Sequence, residues 1–103
     1  MSEAHDNFFR HLAQTSATPL GLEIDHAHGS WLYASDGRRY LDLIAGIGVS
    51  ALGHGHPAIA DAIGRQASRH LHVMVYGEYV IEVQTRLAAR LAEEAADSPW
   101  VAG

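Results

Sequence analysis

A chain of 103 residues has room for one small domain or a piece of a larger one, hiding roughly 60–65% of the surface its unfolded form exposes. With 48% hydrophobic and 18% charged residues it is no disordered polyelectrolyte, and no apolar run reaches membrane-spanning length. A net charge of -5 with scattered arginines argues against a nucleic-acid surface, and the lack of cysteine removes disulfides, thiolate metal sites and thiol nucleophiles together.

All seven basic residues are arginine: Arg10, Arg38, Arg39, Arg65, Arg69, Arg86 and Arg90. Without lysine, Walker-type phosphate binding, side-chain Schiff-base chemistry and lysine general bases are excluded for the chain acting alone. The opening Met1-Ser2-Glu3-Ala4-His5-Asp6 carries acids where a secretory signal is basic, so a cytoplasmic address is expected.

In chain order, Asp6 to Thr15 reads as a short amphipathic helix with Phe8, Phe9, Leu12 and Ala13 on one side, ended by Thr18-Pro19. From Gly21 the period becomes two: Leu22, Ile24 and His26 alternate with Glu23, Asp25 and Ala27 as a half-buried strand closing at Gly29-Ser30. Trp31 to Ala34 and Arg39 to Leu43 follow as two more strands, with Ser35-Asp36-Gly37-Arg38 as the hairpin signal between them. The three strands form a small antiparallel meander. Ala45 to Gly55 is a glycine-rich loop, and Pro57 sits at a helix's first turn. That helix carries Ile59, Ala60, Ile63, Ala67 and Leu71 on one stripe to about His70, with Gly64 suggesting a close neighbour. A second helix runs from about Val80 to Ala96, expected to bury Val80, Val83, Leu87, Leu91 and Ala95 and to pair Glu82 with Arg86 and Arg90 with Glu94 outside.

Three motifs invite chemistry. Gly46-Ile47-Gly48-Val49-Ser50-Ala51 satisfies G-x-G-x-x-A, but the dinucleotide mechanism needs a helix N-terminus at once, and Leu52 to Pro57 are poor helix formers. The pairs His26/His28, His54/His56 and His70/His72 could supply metal ligands; without cysteine or an H-E-x-x-H pattern, surface and capping histidines are the simpler reading. Tyr76, Glu78 and Tyr79 form an aromatic bend that packs or walls a pocket completed by other residues. Ser50 lacks a G-x-S-x-G context and is no nucleophile. These elements also supply too few layers to cover Trp31, Tyr33, Tyr40, Val73, Met74, Val75, Tyr76 and Tyr79, and Trp100-Val101-Ala102-Gly103 reads as the start of another element. A fragment, or a lobe that needs a partner, is expected.

Taken in order, the motifs resemble one family. Gly29-Ser30-Trp31-Leu32-Tyr33-Ala34-Ser35-Asp36-Gly37-Arg38-Arg39-Tyr40-Leu41-Asp42 is similar to the G-x-x-L-x-D-x-x-G-x-x-Y-x-D opening of class III aminotransferases. The following Gly46 to Pro57 is similar to that family's G-I-x-V-x-x-L-G-H-x-H-P, and Ala62-Ile63, Gln66, Leu87-Ala88 and Leu91 continue the match. Ala34-Ser35 stands where the family's acid is usual. The resemblance implies the N-terminal part of a fold-type-I, pyridoxal-phosphate-dependent transferase: α/β as a whole, α+β as an isolated piece. It implies 1–20 as helix and arm, 21–44 as meander, 45–56 as glycine loop and 57–103 as two helices leading to a large domain.

The same resemblance implies transfer of an amino group from an amino-acid-type donor to a 2-oxo acid in a homodimeric complete enzyme, with no nucleic acid and no membrane. Ile47, Ser50 and Tyr76 would shape the substrate pocket. The Schiff-base lysine and the cofactor-binding residues would lie outside this chain, and no metal site is expected in it. Ala17 near Pro19, where ornithine-type members carry an aromatic, argues against ornithine and leaves acetylornithine-like or ω-amino donors open. The alternative is a non-enzymatic remnant or association module.

Overall fold

Hydrogen-bond supply at Ser2 decides where the first helix begins. In the computed structural model, which describes residues 1–74 and 77–98, helix α1 spans Glu3–His11, not Asp6 to Thr15. Ser2 caps it: the hydroxyl accepts from the His5 N–H at 3.1 Å and donates to the Glu23 carboxylate. The helix stops when Leu12 turns extended, its N–H still donating to the Phe8 carbonyl at 3.3 Å, and the Gln14 amide donates to the same carbonyl at 3.0 Å.

The meander is β1 (Ile24–His28), β2 (Trp31–Ala34) and β3 (Arg39–Leu41), antiparallel in the order β1-β2-β3. Trp31 faces His28 on one side and Leu41 on the other. The register slips between Ile24 and His26, so the simple alternation expected of this strand is broken at Asp25. Gly29 at φ 56 takes the first position of a two-residue hairpin, where a II′ turn needs glycine. The second hairpin is longer. Gly37 N–H donates to Ala34 C=O, Gly37 sits at φ 85, and Ala34 N–H donates to Arg38 C=O.

β3 ends at Leu41, two residues before the expected Leu43, because Asp42 turns the chain with its own side chain. One turn, α2 (Ala45–Gly48), follows inside the stretch expected as a glycine loop. Helix α3 (Pro57–Arg69) starts at the proline as expected, with His56 C=O accepting from Ile59 and Ala60 N–H. Among the described residues, a Cβ added at Gly64 would meet nothing within 4 Å.

The chain divides into two compact units, Met1–Ala67 and Ser68–Gly103. In the second, α4 (Glu82–Ala96) carries the expected pairs Arg86–Glu82 at 3.7 Å and Arg90–Glu94 at 3.1 Å. The expected burial of its stripe does not occur: Val80 is 93% exposed, and Val83, Leu87 and Leu91 also face outward, while Ala95 alone of that set is half-buried. Val80 itself precedes the helix, which begins after Ile81. Among the described residues none is buried, and no helix is long and apolar enough to cross a membrane. The apolar periodicity is real, but no layer covers it among the described residues.

Candidate functional site

The segment after β3 has an unusual backbone. Ile44 is right-handed, then Ala45 (φ 51), Gly46 (φ 61), Ile47 (φ 62) and Gly48 (φ 78) are all left-handed, and Val49 returns to φ -76. Glycine tolerates this; alanine and isoleucine do not, each losing roughly 1–2 kcal/mol to the Cβ–carbonyl clash. Ile47 N–H and Gly48 N–H both donate to Ile44 C=O, at 2.9 and 3.2 Å, and Ser50 N–H returns to Ala45 C=O at 2.9 Å. The turn thrusts Ile47 outward at 91% exposure, while Ser50 lies half-buried beneath Gly46.

Asp42 anchors the entrance. One carboxylate oxygen accepts from Ile44 N–H at 3.0 Å and Ala45 N–H at 2.9 Å. The other accepts from His54 Nε2 at 2.6 Å, and the two side chains are only 9% and 23% exposed. The hydrogen bond from His54, helped by those two N–H groups, holds the Asp42 carboxyl below its usual range. His54 is fixed in turn. Its backbone exchanges two hydrogen bonds with Gly29 at 2.9 and 2.7 Å, tying the loop to the β1–β2 hairpin. Gly53, at φ 83, lets this happen, because a Cβ there would press on the Gly29 backbone at 3.2 Å.

Two of the residues expected at the pocket from sequence, Ile47 and Ser50, therefore share one turn. Tyr76 lies outside the described residues. Sequence reasoning does not find the Asp42–His54 pair as a unit, since its members stand twelve residues apart. The available signal is an aspartate just before a glycine-rich turn, where its side chain can take up freed N–H groups. After Gly48 the next full helix begins only at Pro57, so no helix N-terminus stands behind the G-x-G for a pyrophosphate. His26 stacks on Tyr33 at 4.5 Å and bonds Asp25, and among the described residues no three ligand-type groups converge on a metal position. A separate hollow of about 300 Å³ lies between α1 and residues 19–23, and neither Ile47 nor Ser50 lines it.

The turn offers an isoleucine and backbone, not a cationic cradle, and the chain contains no lysine amine. Pyridoxal phosphate does not fit these residues by themselves.

Comparison with known proteins gives this turn its context. The family described as Aminotransferase class-III matches residues 12–100. Acetylornithine aminotransferase 1 of Bordetella pertussis is 49% identical over 74 residues, covering 72% of this chain and 18% of the relative. Among solved structures, the taurine:2-oxoglutarate aminotransferase of Bifidobacterium kashiwanohense, in complex with PLP and glutamate, superposes with a TM-score of 0.78 at 30% identity. It is matched over 90% of this chain and 21% of that one. An (S)-enantioselective ω-transaminase from Thermomicrobium roseum gives 0.73 at 29% identity, over 85% of this chain and 21% of its own. The chain spans about a fifth of the length of the curated relatives it matches. With a helix, an antiparallel meander, a left-handed glycine turn and two further helices in this order, the chain belongs to the class-III aminotransferase family.

Proposed function

We propose that these residues form the N-terminal part of a pyridoxal-phosphate-dependent aminotransferase, homodimeric and cytoplasmic, that moves an amino group from an acetylornithine-like or ω-amino donor to a 2-oxo acid. The observation that carries the reading is the left-handed Ala45–Gly48 turn, which holds Ile47 out as an apolar wall in a segment that resembles acetylornithine aminotransferases. In this reading Ile47 and Ser50 shape the donor pocket, Tyr76 contributes a further wall, and the cofactor with its lysine is held by the rest of the subunit. Pyridoxal phosphate, held by the rest of the subunit, would supply the electron sink for loss of the proton on the carbon that bears the transferred amino group.

The test joins residues 1–103 to the remaining four-fifths of the Bordetella relative. The expected product retains pyridoxal phosphate through gel filtration and forms glutamate from acetylornithine or an ω-amino donor with 2-oxoglutarate. A folded fusion that binds no cofactor overturns the proposal and favours an association module without activity.

The 103 residues alone are expected not to transaminate. Guanidinium groups stay protonated at neutral pH and cannot serve as the amine nucleophile. The α-amino group belongs to Met1, a residue 97% exposed to water, so nothing holds a substrate against it in a reactive orientation. Glutamate formation above a no-protein control, abolished by blocking the N-terminus, would contradict this.

A further inference from the structure

The left-handed turn is poorly explained by packing. The Val49 and Ser50 side chains lie close under Gly46, but Ile47 is almost wholly exposed and a Cβ at Gly48 would meet nothing within 4 Å, so packing does little to restrain the outer half of the turn. What restrains it is polar: its own backbone bonds to the Ile44 and Ala45 carbonyls close the turn, and a side-chain clamp fixes its entrance. Asp42 takes the two N–H groups at its entrance, Ile44 and Ala45, and its other oxygen is fastened to His54. His54 is bolted through its backbone to Gly29, so the strain at Ala45 and Ile47 is referred to the sheet rather than to neighbours of the turn. We infer that Asp42 and His54 are a pair of positioning residues: they hold Ala45–Gly48 left-handed and thereby keep Ile47 aimed at the amino donor. The second half of this inference rests on the reading that Ile47 lines the donor pocket.

Loss of either side chain frees the entrance, and the strained residues relax toward right-handed or extended backbone. Donor binding then has to select a minor conformer, which raises the apparent dissociation constant by the inverse of that conformer's population. The group that performs chemistry is untouched.

The clamp and its use are tested separately. In the fused enzyme, labelled selectively at alanine and isoleucine, nuclear magnetic resonance gives an intense intraresidue amide–Hα cross-peak wherever φ is about +60°. Ala45 and Ile47 are expected to show it in the parent, to lose it in Asp42→Ala and His54→Ala, and to regain it in His54→Gln, whose amide can still donate to Asp42. Persistence in either alanine variant overturns the clamp, as does its absence from the parent. Cross-strand contacts between Trp31 and Leu41 report on the sheet. If Asp42→Ala loses them, His54→Ala decides; if both lose them, the pair supports the fold at large and the proposal falls.

In the fused enzyme, His54→Ala is expected to raise the donor KM about ten-fold, by depleting the competent conformer, with kcat little changed and His54→Gln close to the parent. A fall in kcat at constant KM overturns the donor-positioning role. A folded parent fusion without cofactor or turnover defeats the aminotransferase reading, while the cross-peaks of that same fusion still decide whether the clamp exists.

Discussion

Isoleucine is a costly choice for a backbone at φ 62, where its branched Cβ crowds the following carbonyl. Ile47→Gly should relieve that strain and stabilise the fused enzyme by about 1 kcal/mol, read as a higher thermal midpoint. The same change removes the apolar wall, so donor KM should rise as stability rises. Lower stability together with unchanged KM would show that the side chain serves the fold instead. Asp42 makes a second prediction at this scale. Its carboxyl is held below the ordinary 3.8 chiefly by the His54 hydrogen bond, so it is ionised in the folded loop at a pH where the unfolded chain is already protonated. Its stabilising contribution is therefore complete above the unfolded value and is lost as pH falls through the lower, folded one. Carboxyl carbon shifts of Asp42 should titrate below 3.8 in the parent and move back up in His54→Ala. A midpoint unaffected by removing the imidazole would refute the assignment.

Among the elements, α1 depends most on one side chain. Nine residues are too few for a helix to persist in water unaided, and the Ser2 cap satisfies one of its orphan donors while linking it to Glu23. Ser2→Ala should weaken α1 by about 1 kcal/mol, close to five-fold faster exchange of the His5 amide; an unchanged rate would rule the cap out. The elements also show what a sequence discloses. β2 is legible to the residue, Trp31 to Ala34, because an apolar run between two glycine turns leaves little freedom. Sequence places α1 too late, since its apolar face begins at Phe8 while its cap lies six residues earlier. The hand of the Ala45–Gly48 turn is not legible: glycine-rich composition permits a left-handed path, but nothing local at Ala45 or Ile47 requests one. Ile47 and Ser50 follow from family resemblance, whereas the restraint behind them is a contact between Asp42 and His54 that only the folded chain brings together.

For the whole molecule, the decisive fact is that no described residue is buried. Without a core there is little to lose all at once, so thermal unfolding of the isolated chain should be broad or without a resolved transition, and sedimentation should show association. A sharp, concentration-independent melt of a monomer would contradict this. The feature also sets how long the chain would last in a cell. Leu87 and Leu91, 59% and 60% exposed on α4, are the kind of surface that chaperones hold and proteases cut. Expressed by itself, the segment should turn over quickly, and a polypeptide able to cover that stripe should lengthen its half-life by mass action. Its abundance would then be governed by the supply of that polypeptide rather than by any folding free energy of its own.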